Sequence, residues 1–418
     1  MNKEAATEKN KISRRELLKL SAFAGAGIAV GASGLGTFSM FADQLFGKTQ
    51  NASANEMTVP FYGAHQAGII HPQQTYSYTA SFNLLTESKS DVIKLFKKWT
   101  EMAETFSKGN SYAKGFSNDW LPPKDTGEAN DLSAAHLTVT FGFGPGFFQK
   151  NGLSRYGIGH LKPKHLKSIP SMPGDDFEDG FTGGDVCIQI CASIQQVAFH
   201  ALRNFIKNSI GTAEVNWMQA GFLNASEGKT GRNLFGFKDG TANLSPKDKP
   251  KQNKIIWADE KEPSWMIGGT YMAVRKIRMF LEVWDRSSLK DQEDTFGRKK
   301  DSGAPFGQIH EKDPVLLNKM PVDSHVRLAK STKQEIFRRA YSYTDGVDPK
   351  TGSINAGLFF VSFQQNPDKQ FIPMLKLMSQ KDKLNEYTKH VGSAMFACPG
   401  GIKKGGYVGQ RLLEGTLF

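Results

Sequence analysis

Two runs of strand-like and helix-like patterning, in the same order, constrain the fold of this chain more than any other feature. In the first run, residues 76–85 alternate and carry Tyr, Thr and Phe, which predicts a strand. Residues 91–106 place apolar side chains at 92, 95, 96, 99, 102, 103 and 106, the stripe of an amphipathic helix, with Ser90 or Asp91 as its cap. Residues 136–143 predict a second strand, ended by Gly142-Phe143-Gly144-Pro145-Gly146. An apolar strand at 186–190, a helix at 194–206 and a strand at 215–223 complete the set. In the second run, residues 270–284 read as a strand rich in β-branched and aromatic residues. An apolar strand at 358–363 and a helical run at 367–378 follow. Strand-helix-strand units that recur in this way predict two related α+β sandwiches. Residues 55–75 read as an extended lead-in, and 245–252 and 299–307 as polar loops, the first an insertion.

The length of 418 residues suits two domains or one large duplicated unit. With 39% hydrophobic and 22% charged residues the chain has the composition of a folded protein. Its formal charge is +12, yet no block of five basic residues occurs and no basic stretch is interleaved with aromatics. A solvated basic surface explains that charge, and nucleic-acid binding is not expected. The three cysteines, Cys187, Cys191 and Cys398, are too few and too odd in number for a disulfide framework. Cys187 and Cys191 lie four apart in an apolar strand, so both face one side and fill a core.

The first 54 residues form an address rather than a fold. Residues 1–19 are polar and basic and hold Ser13-Arg14-Arg15-Glu16-Leu17-Leu18-Lys19. A Gly- and Ala-rich apolar stretch follows, and Ala52-Ser53-Ala54 offers a cleavage site. This layout reads as a twin-arginine signal, with an uncleaved anchor as the alternative. That route carries proteins that fold before export, often around a cofactor. The expected location is therefore extracytoplasmic.

Common catalytic signatures are missing. None of the nine histidines forms His-Glu-x-x-His, and neither a phosphate-binding loop nor a nucleophile elbow occurs. Three segments remain. Gly236-Phe237-Lys238-Asp239-Gly240-Thr241 presents an aspartate between glycines that let backbone approach a ligand. Asp323-Ser324-His325-Val326-Arg327-Leu328 presents a histidine, and Phe337-Arg338-Arg339-Ala340-Tyr341 a pair of arginines. Each alone has an ordinary explanation: an Asx turn, a structural histidine, a charged face beside core aromatics.

Together, in this order, the three segments resemble the aspartate, proximal-histidine and distal-arginine segments of the dye-decolorising (DyP-type) haem peroxidases. Tyr62-Gly63 with His65-Gln66-Ala67-Gly68-Ile69 resembles the opening segment of that family. With the twin-arginine leader, the resemblance is to the EfeB-type deferrochelatase/peroxidase branch. It implies an α+β fold of two ferredoxin-like halves, 55–235 and 236–418 behind a leader at 1–54, with haem held mainly by the C-terminal half. One haem b per chain is implied, with His325 as axial ligand to the iron. Asp239 would shuttle a peroxide proton and Arg338 would stabilise the leaving oxygen, with Arg339 as the rival. Gly240, Thr241, Ala242, Lys330, Ser331, Thr332 and Arg338 would contact the haem. Hydrogen peroxide and bulky aromatic donors are the implied substrates. The implied partners are the twin-arginine translocase, an iron-uptake permease and lipoprotein, and a second copy of the chain in a homodimer. Two other readings use the same residues differently: a non-catalytic haem-transfer protein of iron acquisition, and a binding module without cofactor.

Overall fold

Eight long strands close into one antiparallel barrel. The computed structural model describes residues 57–113, 118–226, 228–245 and 247–415. The twin-arginine segment and Ala52-Ser53-Ala54 lie outside the described residues. The N-terminal half supplies β1 (Tyr76–Leu84), α1 (Lys89–Ser107), β2 (Thr138–Phe143), β3 (Val186–Ala192), α2 (Gln195–Lys207) and β4 (Ala213–Phe222). The C-terminal half supplies β5 (Thr270–Met279), α3 (Leu289–Phe296), α4 (His325–Ser331), the two-residue β6 (Phe337–Arg338), β7 (Tyr341–Val347), β8 (Ile354–Gln364), α5 (Phe371–Lys381) and β9 (Thr388–Cys398).

Strand order shows the duplication. The N-terminal strands lie β2-β3-β1-β4 and the C-terminal strands β7-β8-β5-β9, so second-third-first-fourth in both halves. That is the ferredoxin-like order. The halves meet at two narrow seams. β2 and β9 pair only at Phe143 and Ala397, and β4 and β7 only at Phe222 and Ser342. By contrast, β5 and β9 pair over ten residue pairs, Thr388↔Met279 to Cys398↔Thr270, with an irregularity at His390/Gly392. Gln66 braces the first seam: its amide donates to the carbonyls of Phe141 (2.9 Å) and Pro399 (3.0 Å) and accepts from the Phe141 N–H (2.8 Å).

The two sheet faces differ in content. The barrel interior collects side chains from both halves, including Cys187, Trp217, Val274, Phe359, Phe363 and Phe396. Cys187 and Cys191 both point to this side, opposite Ser81 and Ser77 of β1, and both are buried free thiols. The outer face of the N-terminal half carries Phe82, Phe141 and Ile190 and is covered by α1 and α2. Trp99 of α1 is wholly buried there, its ring 5.2 Å from that of Phe82 and its indole N–H donating to the Phe205 carbonyl.

Element ends differ from the sequence expectation where local chemistry overrides pattern. Ser88, not Ser90 or Asp91, caps α1: its extended backbone lets Oγ accept from the Asp91 N–H at 3.3 Å. The strand expected over 270–284 stops at Met279, and Leu281–Trp284 forms a helical turn. Part of the loop expected at 245–252 starts a helix, Lys249–Ile255, where Asp248 caps the Lys251 N–H and Pro250 sits in the first turn.

Candidate active site

A cavity of about 380 Å³ opens on the outer face of the C-terminal sheet. Ile277, Phe360, Met374, Leu375 and Met378 give it apolar walls from β5, β8 and α5. It occupies the face that α1 and α2 fill in the other half. The chain folds this way because β5 is followed by short helices rather than by one long amphipathic helix.

His325 is the first residue of α4, a place where the side chain projects freely and no helical N–H needs it. Its ring lies 5.8 Å from that of Phe296 and reaches the cavity wall. Nδ1 is 2.7 Å from Oδ2 of Asp382, at the C-terminal end of α5. Asp382 is almost wholly buried, and its other oxygen accepts from the Leu384 N–H at 2.9 Å. Burial works against a charged imidazole, but the Asp382 carboxylate outweighs it, so the His325 pKa stands above its ordinary value. The carboxylate accepts the Nδ1 proton, which leaves Nε2 to present its lone pair to the cavity.

Asp239 and Arg338 line the same cavity, joined by a hydrogen bond from Arg338 Nη1 to Asp239 Oδ1 at 2.7 Å. The Asp239 loop is fixed by its own backbone: Asp239 N–H bonds the Gly231 carbonyl, and Asn243 N–H bonds that of Gly240. Gly240 has φ +106° and nothing within 4 Å of an added Cβ, so backbone conformation alone calls for glycine. Glu311 anchors the loop on both sides of the aspartate. It accepts from Lys238 Nζ (2.6 Å), Thr241 Oγ1 (2.9 Å) and Thr230 Oγ1. Although burial opposes it, this set of donors holds the Glu311 carboxyl down to about 2.

Arg338 and Arg339 are separated by strand geometry. Arg338 sits on β6 opposite Ser362. Asn243 clamps its backbone, accepting the Arg338 N–H at 2.9 Å and donating to its carbonyl at 2.6 Å. Arg339 is buried elsewhere, donating to the carbonyl of His71 and to Gln74. Gly240, Thr241, Ala242 and Lys330 line the cavity. Ser331 and Thr332 are absent from its lining, and their hydroxyls donate to the carbonyls of Leu328 and Ala329, both at 2.7 Å. Sequence reasoning missed Asp382, Asn243 and Glu311, which lie far from the motifs or carry no motif of their own.

The residues fit a flat, largely apolar metallocofactor: greasy walls, one imidazole lone pair, and an acid with a guanidinium on the same lining. Comparison with known proteins agrees. Residues 66–223 match the family described as Dyp-type peroxidase, N-terminal, and residues 230–403 match Dyp-type peroxidase, C-terminal. The chain belongs to the Dyp-type peroxidase family. It is 37% identical to the deferrochelatase of Escherichia coli strain K12, across 97% of this chain and 98% of that protein. A DyP-type peroxidase from Cellulomonas bogoriensis superposes with TM-score 0.77 at 35% identity, covering 87% of this chain and all 100% of that one. Ferric DtpA from Streptomyces lividans gives 0.77 at 34% identity, covering 85% and 97%. The chain is therefore a haem-dependent peroxidase with the duplicated ferredoxin-like fold of its family.

Proposed function

We propose that this protein is an exported haem b peroxidase that reduces hydrogen peroxide and oxidises bulky aromatic donors. The observation that carries the reading is the 2.7 Å pair of Asp239 and Arg338 in the cavity that His325 also lines. His325 Nε2 would hold the iron, with its basicity raised by Asp382. Haem, when bound, supplies the electrons for breaking the O–O bond. The chain's own residues manage protons and charge. Asp239 would take a proton from one peroxide oxygen and return it to the other, departing one. The guanidinium of Arg338 would offer hydrogen-bond donors to the negative charge that grows there. Asn243 fixes the backbone of Arg338 so that the guanidinium is aimed beforehand.

The likeness to deferrochelatases supports a second activity, removal of iron from haem with the porphyrin intact, in iron uptake. The pattern at Arg14-Arg15 supports export by the twin-arginine translocase to an extracytoplasmic site. The test is an absorbance spectrum of the haem-loaded protein before and after peroxide. A Soret band that shifts on peroxide and returns with a reducing dye is the expected result. A band indifferent to peroxide favours haem handling, and no band after haem titration overturns the haem reading.

A further inference from the structure

One part of the cavity lining has a polar construction that the peroxide chemistry does not use. Arg275 of β5 and His390 of β9 line it, together with Asp175 on a strap from the N-terminal half. The strap is tied along β9: Asp176 N–H bonds the His390 carbonyl at 2.9 Å and Glu178 N–H that of Val391 at 2.8 Å. The register of β9 shifts between His390 and Gly392, a bulge of the kind that re-aims a side chain.

The hydrogen bonds fix the tautomer of His390. Arg275 Nε lies 2.9 Å from His390 Nδ1. Arginine can only donate, so Nδ1 accepts and the ring proton sits on Nε2. Burial, with Arg275 adding to it, pushes the His390 pKa down to about 3, so the ring stays neutral. No group among the described residues accepts from Nε2. Arg275 spends its other bonds on Ser393 Oγ at 3.0 Å and on an ion pair with Asp175. That accounts for three of the five N–H donors a guanidinium carries. The side chains of Arg275 and Asp175 are 1% and 5% exposed, so little solvent screens the pair at the cavity wall. Lys389 also lines the cavity and pairs with no carboxylate among the described residues.

We propose that His390 Nε2–H and the unspent Arg275 donors form a carboxylate-binding subsite of this cavity. Asp175 balances the guanidinium, so the subsite receives a carboxylate through directed donors rather than by bulk charge. Two sources have this chemistry: a propionate of haem, or the carboxylate of a free aromatic molecule. The inference rests on the haem reading of the cavity.

The test uses the full chain prepared without haem. It is titrated with haem and with haem dimethyl ester, whose carboxylates are masked, and the Soret absorbance is read. The wild type should bind haem about tenfold more tightly than the ester. His390→Phe should erase that preference and leave ester binding unchanged, whereas His390→Gln, which keeps an N–H donor, should restore most of it. Where His390→Phe fails to fold, Asp175→Asn serves instead: by freeing Arg275 it should raise the preference several-fold, and no change overturns the proposal. If the wild type binds haem and ester equally, the loaded protein is titrated with benzoate. A Soret response to benzoate that His390→Phe abolishes assigns the subsite to free carboxylates. Equal tetrapyrrole affinities without a benzoate response overturn the subsite and leave the haem reading standing, as does equal weakening of haem and ester by His390→Phe. A wild type that binds neither tetrapyrrole overturns the haem reading and the subsite with it.

Discussion

The two halves of the barrel share a strand order and differ in what lies on their outer faces. In the N-terminal half, α1 is a 19-residue helix whose apolar stripe, Trp99 included, covers the sheet. The corresponding stretch of the C-terminal half is broken into α3 and α4, of eight and seven residues. No single stripe covers β5 and β8 there, and a cavity takes the place of packed side chains. The last helices differ in the same sense. α2 buries Val197, Ala198, Ala201, Leu202 and Phe205, whereas α5 buries only Phe371 and Leu375 among its apolar residues and turns Met374 and Met378 to the cavity. One half presents a packed outer face and the other an open one. The candidate site thus lies where helix packing is withdrawn.

That contrast can be broken by substitution. The largest effect should follow His325→Ala: the Soret band is lost or displaced while circular dichroism of the fold persists. An unchanged spectrum and haem content would remove His325 from the metal. Next, Asp239→Asn and Arg338→Leu should each slow the reaction with peroxide by ~10²–10³-fold in stopped-flow absorbance, with haem content kept. Comparable rates in both variants and wild type would leave passive haem handling as the better reading. Trp99→Ala tests the other half: it should lower unfolding stability by ~3–5 kcal/mol. The folded fraction should retain the wild-type haem spectrum, and a perturbed Soret band would show that the halves are coupled. Asp382→Asn should weaken haem retention by ~10–100-fold and shift the iron reduction potential, read by redox titration.

The smallest effect is pH-dependent. The Glu311 carboxyl is held at about 2 in the folded chain against an ordinary 4.5. A depressed carboxyl stabilises the fold above its unfolded value, and that contribution disappears as pH falls from 4.5 toward 2. Glu311→Gln should therefore cost ~1–3 kcal/mol near pH 6 and much less near pH 3, by thermal or urea unfolding at both. An equal cost at both values would mean that the charge of Glu311 is not what anchors the Asp239 loop.

Regular elements were legible in the sequence because each has a period of its own. The stripe at 92, 95, 96, 99, 102, 103 and 106 marks α1, and all seven residues are buried. Boundaries were less legible, since capping depends on the geometry of a single side chain, as Ser88 shows. In the site, the histidine, aspartate and arginine segments stood out as motifs. Their supports did not. Asp382 is 57 residues from His325 and meets it only because α5 ends beside α4. Asn243 follows the Asp239 loop but gains meaning only when β6 lies across it. Only the structure shows that Arg338 lines the cavity while Arg339 turns away to the His71 carbonyl, as neighbouring side chains of an extended segment point to opposite sides.

The two narrow seams have an evolutionary reading. A barrel built from two identical subunits obeys twofold symmetry, so whatever one subunit does to its outer face the other must repeat. Such an assembly hollows both faces or neither. Joining the copies in one polypeptide ends that obligation, while single paired residues such as Phe143 and Ala397 keep the ring closed. One copy can then remain a solid buttress, and its twin is free to diverge toward catalysis.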